Sequence, residues 1–121
     1  MYKITSYPSK SLIELELKGF WKAETFADFR IELRWHIDRL PKKARGYLCL
    51  TDARELEVQS RELAESCAKF LTMPGVAAAR IALVTGSALL KLQAQRTVAT
   101  GELQIFGNTE VALAWLSGHE A

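Results

Sequence analysis

Two histidines, two cysteines and fourteen acidic residues are the chain's material for catalysis or metal binding. Their spacing assembles no familiar centre. His36 falls in a helical pattern beside basic residues, and His119 falls in the tail. There is no H-E-x-x-H, no Cys/His cluster and no G-x-S-x-G, so His36 reads as a surface histidine and not as a ligand. Glu14 and Glu16 stand two apart on a strand and so share a face. A carboxylate pair can do acid–base work, but on the polar face of an outer strand it is solvated. Cys49 lies in a strand pattern and Cys67 in a helix pattern. Without C-x-x-C spacing or a cationic neighbour they read as small apolar core residues. The expectation is a protein that is not an enzyme, with no cofactor and no metal.

Three other groups could bind something. Thr51 to Gln59 reads as a charged loop leaving the end of a central strand, where open α/β sheets place ligands. Asp52, Arg54, Glu55, Leu56 and Val58 on that loop are candidates for a protein partner. Trp21, Phe26, Ile31 and Trp35 form a candidate apolar groove or homodimer face on the first helix. Trp35 stands two residues from Leu33 and from Ile37, roughly 200° around the helix from each, with Ile31 one turn before it. Thr85, Gly86 and Ser87 join a strand end to a helix start and could hold an anion on open N–H groups. The signal is weak, and the ordinary reading is a tight turn with an N-cap, since no phosphate-loop pattern is present.

The elements that must position these residues follow from periodicity. Tyr2 to Tyr7 alternates weakly. Ile13, Leu15 and Leu17 alternate strictly with Glu14, Glu16 and Lys18. With Pro8 and two serines between them, the two runs predict an antiparallel hairpin. Phe26, Phe29, Leu33, Ile37 and Leu40 recur at helical spacing from a start between Lys22 and Thr25, and Pro41 stops that helix. Gly46–Leu50, Ile81–Val84 and Leu103–Phe106 are continuous apolar runs, as in parallel strands covered on both faces. Ser60 and Ser87 are placed to cap two intervening helices, the first reaching Leu71 and the second about Ala99 before Gly101. Asn108 or Thr109 caps a last helix with Val111, Leu113, Ala114 and Trp115, and the tail from His119 frays. The fold class is α/β, on the α+β border. It is one mixed sheet of about five strands in the order β-β-α-β-α-β-α-β-α, in a single domain over residues 1–121.

Composition narrows the partners. Sixteen basic against fourteen acidic residues, net charge +2, give no basis for nucleic acid. The N-terminus has no apolar signal region, and no apolar run approaches a membrane span. The expectation is a cytoplasmic protein without membrane insertion.

At this point the layout resembles the STAS domain, in its SpoIIAA-like group related to bacterial anti-sigma factor antagonists. The resemblance rests on element order, Gly19-Phe20-Trp21 ahead of a long helix, Leu50-Thr51-Asp52 closing the third strand, Arg80–Val84 as the fourth, and Ile105-Phe106 before Glu110–Leu116. Partner-switching members carry a phosphorylatable serine directly after the matching aspartate. Here Ala53 and Arg54 follow Asp52, so control by a kinase is not implied. The group's topology is similar to lipid-binding Sec14-type domains, which implies an apolar ligand under a mobile helix. The leading expectation is a regulatory domain that binds a protein partner through Asp52–Val58. The alternative is a carrier of a small apolar molecule or lipid near Trp21, Phe26 and Trp35. A nucleotide- or phosphate-binding module at Thr85-Gly86-Ser87 comes third.

Overall fold

The computed structural model describes residues 1–41, 46–97 and 102–118. The expected end of the third helix near Ala99 and Gly101, the basic pair Lys42–Lys43 and the tail from His119 lie outside these residues. The strands are β1 (Tyr2–Tyr7), β2 (Leu12–Gly19), β3 (Leu48–Leu56), β4 (Arg80–Val84) and β5 (Glu102–Phe106). The helices are α1 (Ala23–Asp38), α2 (Arg61–Leu71), α3 (Ala88–Thr97) and α4 (Thr109–Gly118). All five strands form one sheet in the order β1-β2-β3-β4-β5. β1 pairs antiparallel with β2, and every later pairing is parallel. The expected hairpin followed by helix crossovers is therefore the observed topology.

Strand alternation divides the core. Ile13, Leu15, Cys49, Ile81 and Leu83 point to the face covered by α1, α2 and α3. Leu12, Leu50, Ala82 and Val84 point to the other face, where Ala112 and Leu116 of α4 cover them. α4 packs on β3, β4 and β5. Its inward side is Ala112, Leu113, Trp115 and Leu116, while Val111 and Ala114 turn outward. α1 buries Phe26, Phe29 and Leu33 as the spacing predicts, and Phe26 meets Phe70 of α2 edge to face with centroids 6.1 Å apart.

Two corrections concern β2 and β3. β2 lies between β1 and β3 and is not an outer strand. The Glu14–Glu16 face is nevertheless polar, because α4 covers the β3–β5 side of that face. The segment expected as a loop from Thr51 is strand as far as Leu56. Pairing passes from Glu16↔Asp52 to Lys18↔Glu55, so β3 carries one extra residue there. This bulge shifts the alternation. Ala53 and Leu56 both turn to the helix-covered face, three residues apart. Glu55 comes to the other face, where it meets Lys18 at 3.3 Å. A simple alternating template cannot show such a shift.

Candidate apolar site

A cavity of about 160 Å³ lies between the sheet and helices α1, α2 and α3. The sheet contributes Leu15, Leu17, Cys49, Thr51, Ile81 and Leu83 as its floor. Phe29 and Leu33 line it from α1, Leu63, Ala64 and Cys67 from α2, and Leu90, Gln93 and Ala94 from α3. Tyr47 and Ala78 stand at the end where the parallel strands begin, and Leu56 and Gln59 where they finish. Apolar residues reach this space for the reason they form the elements. Alternation on β2 and β3 and helical spacing on α1 and α2 send the same sides inward.

The carboxyl end of the cavity is tied by Gln59. Its Oε1 accepts from Trp21 N at 2.9 Å, and its Nε2 donates to Gly19 O at 3.1 Å and to Glu57 O at 2.6 Å. Its backbone N–H donates to Gln93 Oε1 at 3.1 Å, and Gln93 Nε2 donates back to Gln59 O at 3.2 Å. One carboxamide pair thus joins the end of β2, the β3–α2 loop and α3. Gly19 adopts φ +76°, a left-handed conformation that favours glycine, and this sets its carbonyl in the cluster.

Burial keeps both thiols protonated. It pushes Cys49 up to about 11, partly offset by the Thr51 hydroxyl at 3.4 Å, and it pushes Cys67 up to about 11. Burial, and then the neighbouring Cys49, raises the Tyr47 phenol, whose hydroxyl donates to Val76 O. No cluster of potential metal ligands occurs among the described residues.

The structure separates the residues grouped from sequence. Trp21 is 6% exposed and lines the cavity, where it packs against Tyr2 and Phe29. Phe26 is buried in the core beside it. Ile31 and Trp35 are 73% and 51% exposed, so the four residues do not make one groove. Arg39 lies over the Trp35 ring, 3.7 Å from its centroid, and covers part of its apolar face. His36 is half-buried and meets Ser6 Oγ at 3.1 Å.

The proposed partner patch is also divided. Asp52 binds Arg54 through Nη2 at 2.7 Å and Nε at 2.9 Å, and accepts from Arg54 N at 3.2 Å. The side-chain bond from Arg54 is the main cause holding the Asp52 carboxyl below its ordinary value. Asp52 thus braces the bulge, as a carboxylate at the chain's exit should. Leu56 belongs to the cavity, whereas Arg54, Glu55 and Val58 are exposed. At Thr85-Gly86-Ser87 two N–H groups are taken internally, and Thr85 N donates to Phe106 O at 3.1 Å. Ser87 N donates to Thr85 Oγ1 and Leu90 N to Ser87 Oγ, both at 3.1 Å. These bonds make the turn a capping structure at the start of α3.

Gln59 and Gln93 were not singled out from sequence. Neither belongs to a motif, and they are 34 residues apart. Only the polar position of Gln59 directly before the Ser60 cap hinted at a fixed loop.

Neither a protein-family model nor a curated protein matches this chain. Among solved structures it is similar to an uncharacterised protein of the DUF3478 family from Shewanella loihica, described as having a SpoIIAA-like fold. The TM-score is 0.73 at 19% identity, over 96% of this chain and 92% of the other. The SpoIIAA-like fold suggested by the element order is therefore the fold of this chain. No described helix is long and apolar enough to cross a membrane.

Proposed function

We propose that this protein binds a small apolar molecule in the cavity beneath α1, α2 and α3, and acts by binding and not by catalysis. The observation that carries this reading is the cavity of about 160 Å³ floored by a sheet and lined almost wholly by apolar side chains. Close packing is the rule inside proteins, so a space of this size is a departure that a ligand explains. An apolar cavity of roughly 150 Å³ is large enough for benzene. Native mass spectrometry of protein isolated from its own host, without detergent or organic solvent, tests the reading. A small non-covalent adduct that is lost on denaturation is expected. Uniformly bare protein, with a thermal midpoint that no apolar probe moves, would count against it.

Regulation through a protein partner is the second reading. It is favoured by exposed apolar side chains at the finishing ends of the strands, where Phe20 is 56% and Val58 40% exposed. These flank the Gln59 cluster, so a partner there could sense whether the cavity is filled. Self-association through Ile31 and Trp35 is a further form of this reading, and sedimentation of wild type against Trp35→Ala tests it.

A further inference from the structure

The polar atoms around the cavity are already used by the protein, and this bears on the kind of molecule that can enter. Trp21 Nε1 donates to Lys18 O at 2.9 Å, and Tyr47 Oη to Val76 O. Thr51 Oγ1 is engaged with Cys49 Sγ. The carboxamides of Gln59 and Gln93 bind each other's backbone and the end of β2. Ser11 Oγ, in the β1–β2 turn, is the one buried side-chain N or O atom without a partner among the described residues, and it does not line the cavity. No described lining residue carries a charge. The two lining thiols are held neutral by burial.

Resting on the reading of this cavity as a ligand site, we propose that its ligand is uncharged and buries no hydrogen-bonding group. The class is a monocyclic aromatic or a short hydrocarbon chain, and not an ionised fatty acid. A carboxylate placed here would lose its water and find no cation, only a thiol or hydroxyl as a weak neutral donor. Such a group is excluded in its charged form. A hydroxyl would meet the same lack at smaller cost. The volume sets the size, because about 160 Å³ holds one ring with a short substituent.

Three probes of nearly equal shape separate the possibilities: ethylbenzene, benzyl alcohol and phenylacetate. Nitrogen-labelled protein is titrated with each, and the indole N–H of Trp21, which lines the cavity, is the reporter. Trp35 and Trp115 do not line it and serve as controls. Ethylbenzene should shift the Trp21 signal saturably. Benzyl alcohol should bind at least about tenfold more weakly, and phenylacetate should produce no shift. Ala64→Leu fills the space from α2 and should abolish the ethylbenzene response. If that variant does not fold, Ala94→Leu fills it from α3. A smaller penalty for benzyl alcohol, or saturable binding of phenylacetate, overturns the ligand class while leaving the cavity a site. Failure of all three probes, or ethylbenzene binding that survives the filled variants, overturns the cavity reading with it.

Discussion

Asp52→Ala removes three interactions with Arg54 at once, two to the guanidinium and one to the backbone N–H. Arg54 is half exposed, so the ion pair itself contributes little. The bond to the bulge backbone matters more, and the expected loss is on the order of 1 kcal/mol in chemical denaturation. The Asp52 carboxyl is held below its ordinary value, chiefly by the Arg54 side-chain bond. A depressed folded pKa gives stability that is full above about pH 4 and is lost as pH falls through the folded value. The gap between wild type and Asp52→Ala should therefore narrow in acid. A gap that is constant with pH would show that the charge plays no part. Ser11 is the opposite case. It holds φ +49° and buries a hydroxyl that has no partner among the described residues. Ser11→Gly relieves both, against the larger backbone entropy of glycine. We expect a net gain of about 1 kcal/mol, and a lowered urea midpoint would refute it.

Elements were legible where local chemistry and tertiary context agree. The Ser60 cap is one such place: its Oγ accepts Leu63 N at 3.1 Å. Ser60→Ala should cost about 1 kcal/mol, read as a lower urea midpoint with an unchanged slope. The α1 stripe, the hairpin and the parallel strands were legible for the same reason, since each follows one period. β3 was not. Its first half is a continuous apolar run, and its second half, beyond Asp52, looks like a solvated loop because only β2 pairs with it. A strand with one neighbour and a bulge leaves no alternation to count. The site was legible only in part. Trp21 was selected and does line the cavity, but Trp35 was grouped with it and points elsewhere. Gln59 escaped notice because its importance lies in distant partners. Gln59→Ala strips Trp21 N and Gly19 O of a partner, so about 2 kcal/mol should be lost. Faster hydrogen exchange should appear at the start of α1 and around Gln93. Exchange confined to residue 59 itself would mean that the cluster ties nothing together.

At the scale of the molecule, the same cavity couples stability to alkaline pH. Cys49 on β3 and Cys67 on α2 approach it from the sheet and from the helices. Burial pushes each thiol up to about 11. In the unfolded chain a thiol titrates near pH 8.5. Between these values the unfolded state has released protons that the folded state keeps. A raised folded pKa gives stability that is fully present below the unfolded value and is lost as pH rises through the folded one. Each thiol should remove about 2 kcal/mol between pH 8 and pH 10. The Tyr47 phenol, raised by burial and by Cys49, adds to the loss once the pH passes its ordinary value. Wild type and Cys67→Ala, both kept reduced, should be compared by urea denaturation at pH 7, 8, 9 and 10. The variant starts lower, because it loses the packing of a side chain between α2 and the sheet. Its stability should then fall less steeply, and the two curves should converge by about 2 kcal/mol at pH 10. Parallel curves would mean that Cys67 ionises as freely in the folded protein as in the unfolded chain. The cavity would then be open enough to water to solvate a thiolate, and its claim to hold only uncharged ligands would lose its basis.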